Sequence, residues 1–86
     1  MSYAILVFRG AQKTLAKLPK QDYQKVRAVI EDLAQTPRPI GCKKLTGRPA
    51  WRIRVGVYRI IYEIDDRQQT VTIVDIGHRR DIYRSN

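Results

Sequence analysis

Read for apolar and polar positions alone, the 86-residue chain divides into segments of different period. Tyr3-Ala-Ile-Leu-Val-Phe8 is almost continuously apolar, which predicts a strand buried on both faces and central in its sheet. Arg9-Gly10 interrupts it, and Ala11, Leu15 and Leu18 then recur at the i, i+4, i+7 spacing of a short helix that Pro19 stops. Beyond Pro19, Tyr23, Val26, Ile30 and Leu33 fall at i, i+3, i+7 and i+10, with Val29 and Ala34 alongside. That spacing predicts a longer helix, closed at Thr36-Pro37 because a residue before proline avoids helical angles. Lys20, Gln24, Lys25, Arg27 and Glu31 form its wetter side, read as a solvated surface with no chemistry assigned.

The segment from Pro37 to Ala50 holds three prolines and two glycines, so it reads as a connection with a short extended piece around Lys43 to Leu45. From Trp51 the pattern changes to alternation, with Trp51, Ile53 and Val55 apolar and Arg52 and Arg54 between them. The parity then shifts at Gly56-Val57, after which Tyr58, Ile60, Tyr62 and Ile64 continue. A hairpin turning at Gly56 produces that shift. Antiparallel pairing of Val55 with Tyr58 sets Ile53 opposite Ile60, Trp51 opposite Tyr62 and Arg54 opposite Arg59, with Arg52 on the same face as the arginine pair. A polar turn over Asp65 to Gln69 leads to a last strand, Thr70 to Ile76, which Gly77 ends.

The order β-α-α-β-β-β predicts an α+β fold in one small domain, residues 1–86. Its sheet is expected to be four-stranded and largely antiparallel, with the N-terminal helical hairpin on one face and the arginines on the other. Eighty-six residues leave no room for a second core.

Lys and Arg number 17 against 8 Asp and Glu, a formal charge of +9 with a pI near 10.2. An excess of that size suits a polyanion, nucleic acid before an acidic protein or an anionic membrane. No stretch is long and apolar enough to span a bilayer, and the Tyr3–Phe8 run is too short for a signal-peptide core. Cys42 is the only cysteine, which excludes an intrachain disulfide and fits a reducing cytoplasm. One cysteine and one histidine cannot make a zinc cluster, so neither metal nor cofactor is expected.

Like charges directly opposite on neighbouring strands repel, so setting Arg54 against Arg59 favours a sheet only when an anion sits among them. The guanidinium fork matches a phosphate. A solvated arginine face, or pairing with Glu63 and Asp75, is the alternative for any single residue; for the convergent set a phosphate site is the better reading. In the long connection Lys43, Lys44 and Arg48 are candidates for backbone-phosphate contacts, and a merely solvated loop fits that stretch equally well.

His78, Arg79 and Tyr83 follow the last strand. Histidine can exchange protons near neutrality, arginine can stabilise a phosphorane, and tyrosine can act at a sugar hydroxyl when cations surround it. With Arg52, Arg54 and Arg59 they supply what metal-free RNA cleavage requires. In that reaction the ribose 2′-hydroxyl attacks the adjacent phosphate, so groups must be aligned, charge neutralised and two protons moved. The chain shows no carboxylate cluster, phosphate-binding glycine loop or nucleophile elbow.

Tyr3-x-Ile5, the Leu15/Leu18 helix, Lys43-Lys44-Leu45-x-Gly47, Trp51-Arg-Ile-Arg-Val-Gly-x-Tyr-Arg-Ile-Ile-Tyr62 and Ile76-Gly-His-Arg-Arg-x-x-Tyr83 together resemble the RelE branch of the RelE/ParE toxin superfamily, over nearly the whole chain. The resemblance implies a toxin that cuts mRNA in the ribosomal A site and is held inactive by a RelB-like antitoxin wrapped around it. It implies that the positions matching Arg52 and Arg54 contact substrate phosphates and that Arg59 stabilises the transition state. A further basic residue near Arg79 and an aromatic or acid/base residue at Tyr83 complete the set. Relatives often have lysine at positions 52 and 54, and arginine cannot give up its proton as lysine can. Proton transfer is therefore expected at His78 and Tyr83, with Arg52, Arg54, Arg59 and Arg79 as electrostatic clamps, and the identity of the base stays open. The same superfamily contains ParE-like toxins that bind DNA gyrase and cut no RNA, which is the alternative function.

Overall fold

The computed structural model describes residues 2–78. β1 (Ala4–Val7) precedes α1 (Arg9–Ala16) and α2 (Lys20–Leu33), and β2 (Lys43–Lys44), β3 (Trp51–Val55), β4 (Tyr58–Asp65) and β5 (Thr70–His78) follow. One sheet runs in the order β1-β5-β4-β3-β2, parallel between β1 and β5 and antiparallel elsewhere. Both helices lie on one face, where Ala11, Val26, Ile30 and Leu33 meet Ile60, Tyr62, Val71, Ile73 and Ile76. Burying each larger aliphatic side chain contributes roughly 1.5–3 kcal/mol, so this face carries most of the stability. The α+β class and the helical pair on one face are as the sequence predicts.

The helices begin and end where local chemistry requires. Phe8 has extended angles (φ −61°, ψ 150°) at the N-terminus of α1. Pro19 occupies the same position before α2, its carbonyl accepting the first helical bond from the Tyr23 N–H at 2.8 Å. No helix among the described residues is long and apolar enough to cross a membrane.

Three expectations are corrected. β1 is an edge strand and is covered on one face only: Leu6 is 53% exposed and Phe8 beyond it 52%, while Ile5 and Val7 pack on the core. Its continuous apolarity matches that of a central strand, but its parallel pairing with β5, a non-local contact, puts it at the margin. The extended piece in the long connection is a fifth strand, since Lys43 pairs with Arg52 and Lys44 with Trp51. Gly77 does not end β5 either, because pairing continues through Gly77 opposite Arg59 to His78 opposite Tyr58.

A register shift at Ile61/Tyr62 explains the parity of β5. Tyr62 faces Ile73 and Ile61 faces Asp75, so Val74 is the extra residue of a bulge. The helix-facing positions change from Val71 and Ile73 before it to Ile76 after it.

The β3–β4 register is the predicted one at every position: Val55 with Tyr58, Arg54 with Arg59, Ile53 with Ile60, Trp51 with Tyr62. Gly56 opens the two-residue turn at φ +60°, a left-handed conformation that costs an L-residue about 1–2 kcal/mol. A Cβ there would meet nothing within 4 Å, so the cost of replacing it is a backbone cost alone. Gly56→Val should lower stability by about 1 kcal/mol, a fall of roughly 4–8 °C in the thermal midpoint of a domain this size. Calorimetry checks this; an unchanged midpoint would mean that the turn relaxes into another type.

Candidate nucleic-acid interface

Residues directly opposite in an antiparallel pair share a face, so the register defines the site. Arg54 is opposite Arg59, Arg52 is two residues along β3, and Lys43 is opposite Arg52. These four cations therefore stand in two adjacent rows on the face away from the helices. Val55 and Tyr58 close the turn, which makes Arg54 and Arg59 a non-hydrogen-bonded pair with Cα atoms about 4.5 Å apart, the closer of the two antiparallel spacings.

Their exposures differ in a way that matters chemically. Arg54 is exposed, Arg52 half-buried, and Arg59 only 3% exposed. A guanidinium keeps its proton, so burial at Arg59 holds a poorly hydrated positive charge, which interacts with an anion more strongly than a solvated one does. The Arg52 Nε is sealed from solvent and has no hydrogen-bond partner among the described residues. An unsatisfied buried donor costs about 1–3 kcal/mol, and a ligand oxygen would recover that. Ala50 and Ile61, both buried, pack with Leu45 and Val74 in a small apolar cluster separate from the main core. Ile61 pairs with Arg52 and so puts that cluster on the arginine face, where it lowers the local dielectric. Among the described residues Arg52 and Arg54 form no ion pair, so their pairing with Glu63 or Asp75 does not occur.

Two sequence candidates lie elsewhere. Lys44 is opposite Trp51, whose ring packs on the helix-side core, so Lys44 is off the arginine face. His78 is opposite Tyr58 and meets it edge-on, with ring centroids 6.1 Å apart and planes at 75°. The bulge at Val74 and the continued pairing of β5 carry His78 to the helix side of the sheet, away from the guanidiniums. There the Tyr58 hydroxyl donates to Asp22 Oδ2 on α2 at 2.9 Å, and that bond, with burial, pushes its pKa up. Arg48 is exposed in the turn between β2 and β3, which the Leu45 N–H closes onto the Ala50 carbonyl at 2.9 Å. Arg79 and Tyr83 lie outside the described residues. The structure thus brings together Lys43, Arg52, Arg54 and Arg59, with Arg48 at the margin. Sequence reasoning missed the buried Nε of Arg52 and the apolar floor at Ile61; the hydrophobic residue within the arginine alternation was the available signal for the floor.

This fold is shared with solved toxins of toxin–antitoxin systems. The sequence model for the ParE toxin of the type II toxin–antitoxin system parDE matches residues 6–83. The chain is 36% identical to Toxin RelG of Mycobacterium tuberculosis, covering 98% of this chain and 99% of that one. It superposes on the RelE–RelB complex of Pyrococcus horikoshii with a TM-score of 0.83 at 27% identity, covering 92% of this chain and 97% of that one. For the RelBE2 toxin–antitoxin complex of Mycobacterium tuberculosis the TM-score is 0.81 at 30% identity, over 91% and 99%. The chain belongs to the RelE/ParE superfamily of toxins of toxin–antitoxin systems, and its similarity is to the RelE type.

Each phosphate contact on a single strand contributes about 0.7 to the slope of log K against log salt. Arg52→Gln and Arg54→Gln should each flatten that slope for a single-stranded RNA by about this amount. Lys44→Gln, which removes the same charge from the other face, should change it less. A titration series in potassium chloride measures all three, and equal effects would mean that only net charge matters.

Proposed function

We propose that the chain is an endoribonuclease of the RelE kind, which cleaves mRNA in the ribosomal A site without metal and is neutralised by a RelB-like antitoxin. The observation that carries this reading is Arg59, buried at 3% exposure and directly opposite Arg54 in a face of cations. Two guanidiniums side by side suit a phosphate whose charge increases in the transition state.

In the proposed reaction, Arg52 and Arg54 hold the phosphate while the adjacent 2′-hydroxyl attacks phosphorus and the 5′-oxygen leaves. The products are a 2′,3′-cyclic phosphate and a 5′-hydroxyl. Arg59 meets the developing negative charge, and Lys43, with Arg48 beyond it, extends the cationic track along the RNA backbone. Arg79 and Tyr83 keep the roles their motif implies, a further clamp and a proton carrier. His78, turned toward Tyr58, is left out of proton transfer. An antitoxin is supported by relatives solved in complex with RelB, and by apolar side chains at Leu6, Phe8, Ile40 and Val57 that stand exposed on the chain alone.

One observation favours a second reading: the matching sequence model is that of ParE toxins, some of which act on gyrase rather than RNA. Controlled expression in a bacterium with RNA end-mapping separates the two. The nuclease yields new 5′-hydroxyl ends within codons of translated messages, and Arg59→Ala lowers cleavage by about 10²-fold or more, the scale of losing one transition-state donor. Growth arrest with no new RNA ends, with gyrase-linked DNA breaks that Arg59→Ala leaves intact, would establish the ParE-like activity instead. Lys43→Ala should weaken ribosome association while single-turnover cleavage of bound message stays close to normal. The reverse pattern would take Lys43 out of binding.

A further inference from the structure

Asp66, in the turn between β4 and β5, accepts three hydrogen bonds that the chemistry above does not use. Arg38 donates through Nη2 to Oδ2 at 2.8 Å and through Nη1 to Oδ1 at 3.3 Å, and the Tyr3 hydroxyl donates to Oδ1 at 2.7 Å. The same guanidinium lies 5.3 Å from the centroid of the Trp51 ring. One residue earlier, the Pro37 carbonyl accepts a 2.8 Å bond from the hydroxyl of Tyr62, a residue with no exposed surface, whose pKa burial pushes up. Residues 37 and 38 are thus fastened to β4, to the β4–β5 turn and to the first residue of β3.

An exposed ion pair alone contributes little. Here the bidentate fork, the second donor and the stacked ring each restrict the arginine further. Hydrogen bonds from Arg38 first, then from Tyr3, hold the Asp66 carboxyl below the usual carboxylate range, so the clamp stays charged at neutral pH.

The clamp lies five positions before Lys43. β2 has two residues and is paired with β3 alone, too short a strand to fix its own place. Whatever orients the incoming chain therefore decides whether the Lys43 ammonium stands beside Arg52 or frays away.

We propose that the Arg38–Asp66 clamp positions β2 for RNA binding, holding Lys43 against the arginine face. This rests on the RNA-cleaving function proposed above. Arg38 and Asp66 touch no RNA and act through Lys43.

Simple electrostatics gives the opposite sign for one variant. Asp66→Asn removes a negative charge from a basic chain, which by charge alone tightens binding to a polyanion. Positioning requires it to weaken. Fluorescence anisotropy with a fluorescein-labelled 2′-O-methyl RNA decamer, which 2′-hydroxyl attack cannot cleave, measures this on the full chain. Asp66→Asn and Arg38→Lys should each weaken binding about two- to fivefold, the range for losing one exposed charge contact, and Lys43→Ala should do the same. Adding Asp66→Asn to Lys43→Ala should cost nothing more, because residues acting through one contact are not additive. Trp51, the only tryptophan, reports the lost stack by a change in fluorescence.

Equal or tighter binding by Asp66→Asn, or additive losses in the double variant, would overturn the clamp and leave the nuclease reading intact. If Asp66→Asn unfolds by circular dichroism, Arg38→Lys decides: it keeps the charge and loses the fork and stack, and undiminished binding refutes positioning. Binding insensitive to Lys43→Ala, Arg52→Gln and Arg54→Gln alike would remove the functional reading, and the clamp's role with it.

Discussion

The antiparallel register of β3 and β4 is the constraint from which the rest of the site follows. On the helix side it joins Ile53 to Ile60 and Trp51 to Tyr62, pairs whose burial against α1 and α2 stabilises the fold. The pleat then leaves no choice on the other side, where Arg54 meets Arg59. A slip of one residue would bury guanidiniums under the helices and expose the core, so the hydrophobic pairs enforce the arginine pair. Gly56 sets the register by allowing a turn of two residues. The charge on this face is therefore maintained by apolar packing on the reverse of the same two strands.

That coupling explains which parts of the fold and of the site are legible in the chain. Alternation of period two across Trp51–Ile64 encodes both faces locally, so the hairpin, its register and the placement of Arg52, Arg54 and Arg59 can be read from residues within one turn of each other. The same reading puts β1 at the centre of the sheet instead of its edge, because edge and central strands of this composition look alike and its partner β5 is more than sixty residues away. β2 was too short to carry any period. His78, read as following the last strand, lies within it, and the bulge at Val74 inverts the faces of the strand beyond it; nothing in a Val-Asp-Ile stretch marks a bulge.

The two faces also divide the physical work. α1 and α2 cover one side with aliphatic side chains, while the other has only the small cluster of Leu45, Ala50, Ile61 and Val74. That cluster lies on the arginine face, where Lys43 and Arg54 stay exposed, Arg52 is half-buried and Arg59 is buried. A guanidinium over such a floor keeps its charge and loses part of its hydration, which strengthens its attraction to a phosphate more than a longer row of solvated lysines would. The exposed cations of α2, by contrast, stand in bulk water, and Arg27 is paired with Glu31 at 3.3 Å.

A face built this way is also a source of instability. Lys43, Arg52 and Arg54 stand close together and form no ion pair among the described residues, and like charges so placed repel, in a chain that already has a formal charge of +9. Any ligand that binds this face in the folded chain and not in the unfolded one stabilises the fold as it binds. A phosphate-bearing ligand draws on that free energy by neutralising the rows. A substitution that relieved the repulsion would therefore stabilise the free chain and weaken the hold of an anionic ligand on this face.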